Sequence, residues 1–125
     1  MTIPTNPKLV VVADDQKNFS RFAGLERFGW KIVTLVNQLG VSQSVRTEIP
    51  DVVVIWVGDP HLPAIRLLKA LHGRQRLENA KVLLCSGMPL GQLMKVGKES
   101  GADGVLSQTL QVLNMNFELR QHIAS

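Results

Sequence analysis

Two successive aspartates, Asp14 and Asp15, close the apolar run KLVVVA and open a polar stretch. Carboxylate oxygens of this kind suit Mg²⁺, which takes hard oxygen ligands in near-octahedral geometry and keeps several waters. The same pair also suits a helix N-cap with an acid in the first turn, a use that stabilises by about 1 kcal/mol. Both readings stand at this point. Asp59 lies in a Gly-Asp-Pro turn, where a turn hydrogen bond is the first expectation and a displaced acceptor or ligand the second. Ser86 ends the run KVLLCS with a hydroxyl that can bond the local backbone. The single cysteine, Cys85, cannot form an internal disulfide, and VLLCSG is the setting of a small buried hydrophobe. His61, His72 and His122 have no metal-ligand spacing. With no phosphate-cradling glycine loop and no paired acid and base, an enzyme of metabolic type ranks last.

Those residues need elements to position them. Runs rich in valine, leucine and isoleucine occupy 8–13, 31–36, 52–57, 81–86 and 104–107, each of a length suited to a strand buried on both faces. Between them lie stretches with helical spacing. Phe19, Phe22 and Ala23 share one face of the first, Ile65, Leu68 and Leu71 of the third. Leu90, Leu93, Met94 and Gly97 share a face of the fourth, and Leu110, Leu113 and Phe117 of the last. The second spans about 38–47. Asp15 or Gln16 opens the first helix, and Gly29 and Gly101 stand where helices stop. Five strands alternating with five helices imply a doubly wound α/β fold: a flavodoxin-like three-layer (βα)5 sandwich around a five-stranded parallel sheet. Ligands of such sheets collect at the carboxyl ends of the strands. That rule puts Asp14, Asp15, Trp56, Ser86 and Gln108 on one rim.

At 125 residues, 45% hydrophobic and 19% charged, the chain fits one domain spanning 1–125, without linker or repeat. Its longest apolar runs are too short to cross a bilayer, and MTIPTNPK lacks the regions of a secretory signal, so the cytoplasm is expected.

Over nearly its whole length the chain resembles the receiver domain of bacterial two-component response regulators, the CheY-like family. KLVVVADDQ resembles the first strand with its acidic pair, and IPDVVVIWVGDPHLPAIRLLKAL the third strand, proline loop and third helix. KVLLCSG resembles the fourth strand with its terminal hydroxyl, and GADGVLSQTL the fifth. The resemblance implies a site in which the acidic pair and a third-strand aspartate hold Mg²⁺. That aspartate attacks a phosphoryl group from a histidine kinase, while a fourth-strand hydroxyl and a fifth-strand lysine bind its oxygens. An acyl phosphate requires a carboxylate nucleophile, and a cation must offset the transferred charge.

The chain keeps the acidic pair and the hydroxyl and departs elsewhere. Anchored on Pro50-Asp51 and Pro60, the acceptor position is Trp56. Gln108 falls at the lysine, Thr109 at the proline that commonly follows it, and Val105 where receivers often carry an aromatic switch residue. An indole has no nucleophilic or metal-binding lone pair, and a glutamine amide has no charge. The resemblance is therefore to a degenerate pseudo-receiver, with Mg²⁺ binding at Asp14 and Asp15 weak or lost and no other cofactor. The Trp56 ring is expected over the strand ends near Asp14 and Ser86. Core packing in a shifted register is the plainer reading of Trp56, and a backbone-bonded hydroxyl that of Ser86.

The net charge is +4. Arg66, Lys69, Arg74, Arg76 and Lys81 cluster on the third helix and the loop after it, with Glu78 the only acid among them. Such a cluster is a solvated face or a surface for an acidic partner; lacking aromatic interleaving, it ranks nucleic acid low. Three readings follow. The first is a phosphorylation-independent module that binds a protein partner or fused output domain, or itself through the fourth helix, fifth strand and fifth helix. The second is a receiver still switchable through Asp59, Asp15 or Asp14, or through a small ligand. The third is a basic scaffold contacting nucleic acid.

Overall fold

The five valine- and leucine-rich runs are strands: β1 (Lys8–Ala13), β2 (Lys31–Val36), β3 (Val52–Trp56), β4 (Lys81–Ser86) and β5 (Gly104–Ser107). They pair in parallel in the order β2-β1-β3-β4-β5. The computed structural model describes residues 6–73, 77 and 80–124. Arg74 and Arg76 lie outside the described residues, as does Glu78. Four α-helices, α1 (Val41–Glu48), α2 (Leu62–His72), α3 (Leu90–Ser100) and α4 (Val112–Ala124), complete the layers with two 3-10 segments at Gln16–Asn18 and Ser20–Phe28. This is the doubly wound sandwich the alternation implies.

Strand alternation builds two cores. Val10, Val12, Val53, Ile55, Val82 and Leu84 face α1, α2 and α3. Leu9, Val11, Val52, Val54, Leu83 and Cys85 face the second 3-10 segment and α4. The central strands are buried on both sides, which is why they read as unbroken apolar runs.

The first expected helix is 3-10 rather than α. Its apolar residues, Phe19, Phe22, Leu25 and Phe28, recur every third position, the period that puts side chains of a 3-10 helix in one row. Phe22 and Leu25 are fully buried, and Ala23, expected inside, is exposed. Gly29 stops this segment at φ 89° and Gly101 stops α3 at φ 83°, in the left-handed region where a Cβ is strained.

Two helix faces are also corrected. In α4, Leu113 and Phe117 are each 63% exposed, and Met115 and Leu119 are buried instead. Rotation is fixed by polar contacts the apolar pattern does not encode. Trp30 Nε1 donates to Asn116 Oδ1 at 2.8 Å, and Arg120 donates to the same oxygen at 2.9 Å and to the Phe28 carbonyl. In α3, Leu93 and Gly97 are buried, while Leu90 and Met94 turn outward. Gly97 is there because Val105 is: a Cβ at 97 would lie 2.7 Å from Val105 Cγ1. The second helix starts at Val41, three residues later than its apolar spacing indicates, because Gly40 at φ 86° precedes it.

Candidate functional site at the carboxyl ends of the strands

The acidic pair divides as it leaves β1. Asp15 caps the first 3-10 turn: its Oδ1 accepts the Lys17 N–H at 3.0 Å, and its Oδ2 lies 3.8 Å from Lys17 Nζ. Asp14 turns toward the β3–α2 loop, where its Oδ2 lies 3.1 Å from the place a Cβ on Gly58 would occupy. Asp59 is exposed on that loop, and its peptide bond to Pro60 is cis. Ser86 ends β4 almost fully buried, and its Oγ accepts the Met88 N–H at 3.0 Å, a local turn bond of the kind short hydroxyl side chains make.

Trp56 ends β3 in register with Cys85 of β4. Strand alternation sends its ring to the side of the 3-10 segment and α4, where it packs half-buried against the second core. There it is covered by Arg21, whose guanidinium carbon lies 4.5 Å from the ring centroid. The ring thus has a cation from the 3-10 segment as a partner.

Arg21 was not among the residues singled out from the sequence. Its Nη1 donates to the Gln108 backbone carbonyl and to Gln108 Oε1, at 3.4 Å each. Its Nε is buried and has no hydrogen-bond acceptor among the described residues. Gln108 Nε2 donates onward to the Gly87 carbonyl at 3.4 Å. Ser107 and Thr109 hydroxyls bond each other at 2.7 Å beside it. The only sequence signal was indirect: an indole at a strand end presents a π-face, and Arg21 precedes the buried Phe22 on the segment that topology lays beside β1 and β3.

Burial pushes the Cys85 thiol from 9.0 up to about 11, with the Arg21 charge and a Ser86 backbone hydrogen bond acting in the opposite direction. A thiol held neutral in this way is a poor nucleophile. Among the described residues, no three His, Cys, Asp or Glu side chains come together as a metal site. The rim therefore holds a cation stacked on an indole, a neutral amide, a turn-bonded hydroxyl and the Asp14 carboxylate. No carboxylate occupies the end of β3 to serve as nucleophile.

Arg66 and Lys69 are exposed on α2, Lys81 is half-buried at the start of β4, and Val105 is packed beneath α3. His72 is engaged elsewhere, 3.6 Å from Asp103 Oδ2, which also accepts the Val82 N–H at 2.7 Å.

No family model matches the sequence, and no curated protein does. Solved structures do. A response regulator from Thermotoga maritima superposes with TM-score 0.81 at 18% identity, covering 96% of this chain and 99% of that one. The chain has the receiver fold. The BeF3-activated N-terminal receiver domain of Klebsiella pneumoniae RstA gives 0.78 at 20% identity, covering 94% and 99%. The receiver domain of a signal transduction histidine kinase from Syntrophus aciditrophicus gives 0.77 at 17%, covering 94% and 90%. Placed on the receiver fold, Trp56, Ser86 and Gln108 occupy the rim formed by the ends of β3, β4 and β5. Among the described residues, no helix is long and apolar enough to cross a membrane.

Proposed function

We propose that the chain is a pseudo-receiver: a cytoplasmic signalling module that works by protein interaction, without phosphorylation and without a Mg²⁺ requirement. The observation that carries this reading is the Arg21 guanidinium 4.5 Å from the Trp56 ring. At the strand end that the resemblance gives to a phosphoacceptor, the chain has a filled cation–π pair with no carboxylate to form an acyl phosphate. Asp15, spent on its cap, leaves Asp14 as the single rim carboxylate of the pair, and one carboxylate is a weak Mg²⁺ site.

The partner is a protein or a fused output domain. Two of the similar structures are themselves described as receiver domains of larger proteins, which supports the second form. A second copy is the alternative occupant of the surface formed by α3, β5 and α4, the expected fourth helix, fifth strand and fifth helix. Leu90 and Met94 are 48% and 56% exposed there.

Incubation with acetyl phosphate or phosphoramidate and Mg²⁺, followed by intact-mass spectrometry under conditions that preserve acyl phosphates, tests the reading. No adduct is expected. A stoichiometric adduct mapped to Asp14 or Asp59, both exposed on the same rim, would favour a switchable receiver instead.

A further inference from the structure

We propose, resting on the pseudo-receiver reading, that Arg21 is an intramolecular latch: it ties the loop after β5 to the ends of β3 and β4 and so holds that loop in one position without any transferred group. The guanidinium reaches each element such a tie requires. It stacks on Trp56 at the end of β3. Through Nη1 it holds both the backbone carbonyl and the side chain of Gln108, immediately after β5. Gln108 then reaches the Gly87 carbonyl just beyond β4. The amide is oriented at both ends, its oxygen facing a donor and its nitrogen facing an acceptor. All three hydrogen bonds are long, so each is weak alone and the relay acts as a set.

The position of that loop matters to the surface beyond it. Residues 108–111 connect β5 to α4, and on β5 itself Val105 sits directly beneath Gly97 of α3. A loop fixed by Arg21 therefore fixes where α4 starts relative to β5, the strand against which α3 packs.

The test uses the uniformly ¹⁵N-labelled full chain, with no phosphoryl donor present, so its outcome is separable from that of the labelling experiment. Arg21→Met keeps an unbranched stem over the indole and removes the charge and the donors. Expected are shifts of the Trp56 indole, the Gln108 side-chain amide and the Gly87 amide. Amide exchange across 107–110 should rise about 3-fold, the lower range for hydrogen bonds of ordinary net strength, while the β4 core amides Leu83 and Leu84 keep their protection. Gln108→Ala should reproduce the Gly87 shift and the loop exchange. The double variant should exchange no faster than the faster single one, because both substitutions break one relay. Effects that multiply, or an Arg21→Met change confined to the Trp56 indole, would overturn the latch. If Arg21→Met also loosens the core strands, Arg21→Lys decides. Lysine keeps the cation and loses the two-acceptor reach, so a rise confined to the loop supports the latch and an unchanged loop overturns it.

Discussion

The Arg21 guanidinium lies 4.5 Å from the centroid of the Trp56 ring and shares one of its nitrogens between two oxygens of Gln108. A buried donor such as its Nε, left without an acceptor, costs about 1 to 3 kcal/mol, so hydrogen bonding alone does not explain the placement. Stacking on an indole contributes about 0.5 to 2 kcal/mol according to how far the pair is desolvated, and the packed arginine stem adds to it. In a receiver the resemblance assigns the cation of this rim to β5. Here a cation comes from the 3-10 segment and a neutral amide stands on the β5 side. The two departures at Trp56 and Gln108 are consistent with each other: the indole offers a cation a seat, and the glutamine does not repel it.

Removing the indole should therefore cost more than its own packing. Trp56→Ala is expected to destabilise the fold by about 3 kcal/mol, the lower end for a large aromatic because this ring is half-buried. Trp56→Asp should also destabilise and should remain unphosphorylated, since Arg21 would pair with the new carboxylate. Urea unfolding gives the first number, and intact mass with acetyl phosphate decides the second. An efficiently phosphorylated, equally stable Trp56→Asp would mean that the site is one substitution from a working receiver.

At position 108 the sign of the charge should matter. Gln108→Lys sets a second cation within reach of Arg21 and should lower stability by about 0.5 kcal/mol, an effect that fades as salt rises. Gln108→Glu should be neutral or slightly stabilising, with the opposite salt dependence. Thermal unfolding at low and high ionic strength reads both. Equal effects of the two substitutions would show that Arg21 does not sense this residue electrostatically.

Cys85 gives a pH-dependent signature. Its thiol titrates near 9.0 unperturbed and is pushed up to about 11 in the fold. The folded chain thus retains a proton that the unfolded chain releases, so the contribution is fully present below pH 9 and is lost as pH rises toward 11. The difference in urea stability between the parent and Cys85→Ala should narrow across that window. In the native protein at pH 8 a thiol reagent should react slowly, and in urea it should react at once. A gap that stays constant, together with rapid native labelling, would show an accessible thiolate.

The sheet was legible because each strand is a short run rich in apolar residues; β1, β3 and β4 are buried on both faces as expected, whereas β2, at the edge of the sheet, has no fully buried residue. Only the end of β3 differs, by one residue, with the Val57 N–H still donating to the Cys85 carbonyl at 2.8 Å. Helix phase was less legible. α4 offers more apolar residues than one face can bury, and its rotation is decided by Asn116 and Arg120, which no hydrophobic period records. The spacing of three through Phe19, Phe22, Leu25 and Phe28 does mark a 3-10 helix, but Phe22-Ala23 beside it mimics an α-helical face. At the rim, Asp14, Trp56, Ser86 and Gln108 follow from strand ends, whereas Arg21 does not. Its role depends on a contact 87 residues apart in sequence that forms only once the 3-10 segment has packed against β3 and the loop after β5.

The central claim is that this rim does not respond to a phosphoryl group, and a titration of the ¹⁵N-labelled chain with BeF3⁻ and Mg²⁺ tests it most directly. Trp56, Gly87, Val105 and Gln108 are the reporters. Their signals should remain in place through millimolar Mg²⁺ and excess BeF3⁻, in the parent chain and in Asp14→Asn alike. Saturable shifts at Gly87, Val105 and Gln108 that are abolished by Asp14→Asn would contradict it, showing a metal-dependent phosphoryl pocket still coupled to β5.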